Sequence, residues 1–157
     1  MLTPTHTLLA NAQSNGYAIG AFNIYNLEGV RAVLNAAEQA GSPVLLQILP
    51  QAYQYGGRGL VSLCLEAARC ARVPCGVHLD HSAAESDIRL ALEAGLTSVM
   101  ADGSSLSLEE NIQFTARMTA LIHRQDGFIE AELGRLSGTE DGLSVACLLY
   151  TSPSPRD

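Results

Sequence analysis

Five apolar runs alternating with helix-period segments predict an α/β fold, and three observations narrow it to a (β/α)8 TIM barrel truncated after about five strands. The order is strictly strand, helix, strand, helix, which calls for right-handed crossovers and a parallel sheet. The strand starts at 18, 44, 75, 98 and 128 are separated by 26, 31, 23 and 30 residues. Eight such units need roughly 220 residues or more, close to the usual length of that barrel. A doubly wound sheet could also use five strands, but neither G-x-G-x-x-G nor G-x-x-x-x-G-K occurs, so no strand-to-helix phosphate fingerprint supports it.

Each element follows from local pattern. Residues 18–22 (AIGAF) read as the first strand. Residues 27–40 follow as a helix, with Leu27, Val30, Leu34 and Ala37 on one face and Gly41 and Pro43 stopping it. The second strand is 44–48 (VLLQI). Gly56-Gly57-Arg58-Gly59 then only turns the chain before a helix over 60–70. The third strand is 75–79 (CGVHL). Ser82-Ala-Ala-Glu85 fits a capping box that opens a helix over 85–94, which Gly95 ends. The fourth strand is 98–101 (SVMA), and a second box, Ser107-Leu-Glu-Glu110, opens a helix over 108–123. The fifth strand is 128–133 (FIEAEL).

From Cys147 the chain reads CLLYTSPSPRD and continues neither periodicity. Over its whole length this stretch resembles the translation of a transposase-type sequencing adapter. The expected organisation is therefore 1–146 as the N-terminal part of a barrel domain that continued beyond Ala146, and 147–157 as an adapter-derived, non-native tail. Such a scar is excluded from fold reasoning.

Composition removes several function classes. With 47% hydrophobic and 16% charged residues, the chain can bury a core and is too apolar for a disordered tail. No apolar run reaches the roughly 18 to 20 residues of a membrane span, and the start lacks a basic, then apolar, secretory signal. A cytoplasmic protein is expected, with no membrane partner. A net charge of −7 argues against nucleic acid, which needs a cationic surplus. An anionic substrate stays open, provided a metal or aimed backbone amides receive it. All nine basic residues are Arg, so Schiff-base chemistry, which needs a Lys amine, has no candidate here. Cys64, Cys70, Cys75 and Cys147 match no zinc-finger spacing and read as reduced thiols.

In parallel α/β barrels, functional groups gather where strands end. Those ends carry Asn23, Gln47, His78-Leu-Asp80-His81, Asp102-Gly-Ser104 and Glu130-Ala-Glu132, followed by a Gly-spaced loop with Glu140 and Asp141. Ionised groups inside a sheet core need pairing or a metal. Alternation puts His78 and Asp80 on one face, and His81 turns to the same mouth where the strand breaks. Glu130 and Glu132 share a face of one strand and repel each other without a cation between them. His6 and His123 fall on helices away from the strand ends. Each signal is modest alone; their shared location is what counts.

The blocks Gly20-Ala-Phe-Asn-Ile-Tyr-Asn-Leu-Glu28, Pro43-Val-Leu-Leu-Gln47, His78-Leu-Asp-His81, Ser98-Val-Met-Ala-Asp-Gly-Ser104 and Glu130-Ala-Glu-Leu-Gly134 with Glu140-Asp-Gly142 resemble, in order, those of the class II (zinc-dependent) fructose- and tagatose-bisphosphate aldolases. The resemblance implies a (β/α)8 barrel, a homo-oligomer for the full-length protein and a phosphorylated sugar substrate. It also implies cleavage of a ketose bisphosphate to dihydroxyacetone phosphate and an aldehyde. It makes His81 a zinc ligand, Glu132 a metal-coordinating carboxylate and Asp102 the support of an alternative or second metal position. Asp80 becomes the acid/base at the C4 hydroxyl, and Glu140 the group exchanging the proton on dihydroxyacetone phosphate. Asn23 and Gln47 line the substrate cleft, and His78 stands behind the ligands. The family draws two further zinc histidines and its phosphate loops from later strands, so the Zn2+ site is expected to be incomplete and the chain alone inactive. A non-catalytic aldolase-like partner subunit and another metal-dependent barrel lyase are the alternatives.

Overall fold

The computed structural model describes residues 1–134 with their side chains, and the backbone of 138–140 and 143–145. The element order is α1 (Thr5–Asn15), β1 (Gly20–Asn23), α2 (Leu27–Ala40), β2 (Val44–Ile48), α3 (Pro50–Cys70), β3 (Cys75–Ser82), α4 (Glu85–Glu93), β4 (Ser98–Ala101), α5 (Leu108–His123), β5 (Phe128–Ala131), β6 (Gly138–Glu140) and β7 (Leu143–Val145). Strands β1 to β5 form one parallel sheet in sequential order. That order places every crossover helix on the same side, as in a barrel, whereas a doubly wound sheet reverses direction at a switch point. Strands β6 and β7 form a separate antiparallel pair. The adapter-like stretch 147–157 lies outside the described residues.

The sheet has an apolar outer face and a polar inner face. Val44, Leu46, Ile48, Cys75, Val77, Leu79, Val99 and Ala101 join Val61, Ala68, Ile88, Phe114, Met118 and Ile122 in one core cluster. Burying each Leu or Ile side chain there is worth about 1.5 to 3 kcal/mol. The register aligns Asn23, Gln47 and His78 in one row of the inner face. At the amino end of that face, α1 closes the mouth. A Cβ on Gly76 would stand 2.5 Å from Leu45 of β2 and 3.1 Å from Leu8 of α1, so both side chains would have to shift to admit it. At the sheet's edge, all four residues of β1 are exposed, Phe22 among them.

Several local expectations need correction. The span α3 is two helices that meet at Gly57, whose φ 57° and ψ −155° are not helical; the first, opened by Pro50 in its first turn, was not expected. The Gly-rich stretch turns the chain into the second helix, as expected. The second capping box forms, Ser107 and Glu110 bonding reciprocally. The first does not. Ser82 is the last residue of β3, its hydroxyl donates to the Ala84 carbonyl, and α4 has no side-chain cap. Strand β5 stops at Ala131, so Glu132 follows the strand and does not lie on it. Gly41 adopts the expected left-handed stop, with φ 61°.

Candidate functional site

Strand β3 does not break at His81 as expected; it bulges. Leu79 pairs with Val99 and Ser82 with Ala101, so three steps on β3 oppose two on β4. The extra residue re-aims side chains, and His81 takes up the distortion with φ 97°, rare and strained for a non-glycine. Its ring thereby joins Asp80 at the inner mouth, where regular alternation would send neighbours to opposite faces.

Three side chains from three consecutive strand ends converge there. His81 Nδ1 lies 3.3 Å from Asp102 Oδ2 and 3.5 Å from Glu132 Oε2. One ligand atom from each of the three falls within 4.8 Å of the others, close enough for a single cation. Imidazole and carboxylate donors in a set of three are of the kind that can hold a divalent cation. Burial works against a charged His81, but the hydrogen bond to Asp102 and the charges of Asp80, Glu132 and Asp102 outweigh it and raise its pKa. For Asp102, burial is overcome by hydrogen bonds from Ser104 and His81, and its pKa falls. This is the electrostatics of a candidate cation site: carboxylates gathered around one imidazole, with Asp102 held ionised.

Asp80 occupies the centre of the inner face and is 8% exposed. Asn23 Nδ2 donates to its Oδ2 at 3.0 Å and Gln47 Nε2 to its Oδ1 at 3.2 Å. The two amides expected to line a cleft thus grip this carboxylate and fix its orientation. Of the pair, Gln47 also lines a cavity of about 470 Å3, together with Asp80, His81, Met100, Glu130 and Glu132. Among the described residues, no Arg lines that cavity.

Sequence reasoning missed the support behind these groups. Asn111, buried on α5, donates from Nδ2 to the backbone carbonyl of Glu132 at 2.8 Å. A Cβ on Gly103 would meet Asn111 Oδ1 at 2.1 Å, so the glycine after Asp102 is what admits this side chain. The available signal was a polar residue in the apolar stripe Asn111, Phe114, Met118 and Ile122. Ser98 was also passed over; its hydroxyl lies 2.8 Å from His78 Nδ1. The Glu140 side chain lies outside the described residues, although its backbone sits on β6. Cys64 and Cys75 are free and buried, and burial pushes their thiols up to about 12 and about 11, so neither is reactive. Among the described residues, no helix is long and apolar enough to cross a membrane.

A family model described as Fructose-bisphosphate aldolase class-II matches residues 3–155. The chain is 43% identical over 149 residues to the D-tagatose-1,6-bisphosphate aldolase subunit GatY of Klebsiella oxytoca, covering 93% of this chain and 52% of that protein. It is 42% identical over 145 residues to a fructose-bisphosphate aldolase of Thermus caldophilus, covering 92% and 48%. The crystal structure of the YdjI aldolase from Escherichia coli K12 superposes with a TM-score of 0.81 at 32% identity, covering 85% of this chain and 53% of that one. The chain thus spans about half the length of the relatives it matches.

Proposed function

The chain belongs to the class II fructose-bisphosphate aldolase family, and we propose that it carries the metal-holding and acid/base half of a ketose-1,6-bisphosphate aldolase. The products of cleavage are dihydroxyacetone phosphate and glyceraldehyde 3-phosphate. The observation that carries this reading is the convergence of His81, Asp102 and Glu132 beside an Asp80 gripped by two amides. A divalent ion, zinc by the family resemblance, would be held by those three residues and would supply Lewis-acid stabilisation of the charge left beside the carbonyl. His81 acts as a ligand only in its neutral form, so metal binding would compete with protonation of the ring.

Asp80 takes the proton of the C4 hydroxyl as the C3–C4 bond breaks and C4 becomes the aldehyde. The electron pair stays on C3, and Glu140 delivers the proton that completes dihydroxyacetone phosphate. In condensation each transfer runs in reverse. Asn23 and Gln47 keep Asp80 aimed through both directions.

Among the described residues the cavity walls are acidic and carry no Arg, so binding of a bisphosphate calls for cationic or amide groups beyond these residues. We infer that the isolated chain is inactive and that the site is completed in the full-length enzyme, which we read as homo-oligomeric and cytoplasmic. The reading of 147–157 as an adapter-derived tail belongs to the same proposal.

One experiment tests both parts. The gene is recovered from source DNA past the codon for Ala146, and the product is assayed for cleavage of fructose and tagatose 1,6-bisphosphates with and without a zinc chelator. Expected are a different sequence after Ala146, cleavage of one or both sugars, loss of activity with the chelator and recovery on adding zinc. Chelator-resistant cleavage, or none at all, overturns the metal-dependent reading. A gene that runs through CLLYTSPSPRD to its stop overturns the tail.

A further inference from the structure

The mechanism above leaves one enclosed polar group unused. His78 is 1% exposed, and its Nε2 is the sole buried side-chain nitrogen or oxygen among the described residues that lacks a hydrogen-bond partner. Its Nδ1 faces the hydroxyl of Ser98, itself 2% exposed, at 2.8 Å. Across β4, Nε2 points at Glu130 Oε2, 3.5 Å away, just too far for a formed hydrogen bond. The Glu130 side chain is half exposed and lines the cavity beside Asp80, so a small rotation closes the gap without disturbing the core.

We propose that His78 is a positioning residue that holds the Glu130 carboxylate at the cavity wall, where Glu130 binds a hydroxyl of the polyol substrate. The tautomer follows from the neighbours. Burial drives the His78 pKa down to about 4, leaving the ring neutral with one proton to place. A proton on Nδ1 would leave the Nε2 lone pair facing a carboxylate oxygen, which is repulsive. A proton on Nε2 lets Ser98 donate to Nδ1 and lets the ring donate to Glu130, satisfying every buried polar atom in the row. Ser98, His78 and Glu130 then form one directed chain from β4 through β3 to β5. Its end stands beside Asp80, so substrate hydroxyls meet two carboxylates with fixed orientations.

The substrate role rests on the aldolase reading, whereas the tautomer does not, and the test separates them. In the 157-residue chain labelled with 15N-histidine and free of metal, two-bond 1H–15N correlation at neutral pH reports which nitrogen of His78 is protonated, with H78Q giving the assignment. The Nε2–H tautomer is expected. An Nδ1–H tautomer, or an averaged mixture, overturns the proposal.

In the full-length enzyme, H78F is expected to raise KM for the ketose bisphosphate about tenfold, the scale of one hydrogen bond to a charged group. E130Q should raise it comparably, and the double variant should be no worse than H78F. H78Q, whose amide can still donate to Glu130, should recover much of the loss and remains informative if H78F does not fold. Zinc content should equal wild type throughout. Unchanged KM in E130Q or in a folded H78F, additive losses, or lost zinc would each overturn the role. Absence of cleavage by the wild-type enzyme would sink the aldolase reading and the substrate role together, with the tautomer result still standing.

Discussion

On the outer face of β2 and β3, Leu46, Ile48, Cys75 and Leu79 are fully sealed beneath the helices. On the inner face of the same two strands, Gln47, His78 and Asp80 replace them, Gln47 donating to Asp80 beside Asn23 and His78 facing the Ser98 hydroxyl. One residue of translation along a strand separates the two environments. The outer face tolerates only apolar volume, and its energy comes from area removed from water. The inner face carries groups whose desolvation is costly, and each is held by a partner with a defined direction. A parallel strand buried on both faces normally reads as continuously apolar. Polar residues at alternate positions in such strands therefore mark a face kept for chemistry.

The largest test of that contrast removes one side chain from each face. Leu46→Ala should cost about 2 to 5 kcal/mol in urea denaturation, while zinc binding by the folded chain stays as in wild type. Asn23→Ala removes one hydrogen bond to Asp80 and should cost only about 1 kcal/mol. Its effect belongs to kcat of the full-length enzyme, because Asp80 loses one of its two orienting amides. Comparable destabilisation by the two variants would show the inner row to be structural.

Acid sharpens the contrast next. The folded-state pKa of His78 falls from 6.5 to about 4 because burial opposes the charge. A depressed folded pKa means that the full contribution is present above the unfolded value and is lost as pH falls toward the folded one. Between about pH 6.5 and 4, that loss amounts to roughly 3 kcal/mol at 1.36 kcal/mol per unit. His81 works in the opposite sense. Its raised pKa stabilises the metal-free fold at low pH, and that contribution is lost as pH rises through the folded value. Unfolding free energies of wild type and His78→Gln, compared across this range, isolate the first effect. Parallel curves for the two proteins would mean that His78 is not enclosed as described.

What could be read in the sequence follows the same division. The run VLLQI gives β2 its observed bounds, because a short apolar run between turn signals is unambiguous there. Helix α5 and its capping box were legible for a similar reason: both depend only on residues three or four apart. The five strand ends placed Asn23, Gln47, Asp80, His81, Asp102 and Glu132 near one mouth, and the structure brings these together. The manner of their meeting was not legible. His81 turns inward through a bulge set by its pairing with β4, and no local glycine marks the positive φ. Ser82 matched a cap by spacing, but the bulge carries β3 through it. Asn111 and Ser98 acquire meaning only from partners 21 and 20 residues away in the chain.

The smallest expected effect concerns a group on neither face. Ser107 and Glu110 cap α5, and Glu110 is held below the usual carboxylate range by hydrogen bonds from the Ser107 hydroxyl and backbone. Ser107→Ala should cost about 1 kcal/mol, as for other lost caps. Asn111 begins the next turn of the same helix and holds the Glu132 carbonyl, so fraying at the cap has a short path to the cation site. Asn111 is nonetheless buried, enclosed by Gly103 and bonded to Thr115 through Oδ1, which anchors it independently of the cap. Calorimetric zinc binding by the Ser107→Ala chain should therefore match wild type within about threefold even as its melting temperature drops. A larger loss of affinity would mean that the inner face draws part of its geometry from the helix ends, and the separation of the two faces would then hold for energy but not for position.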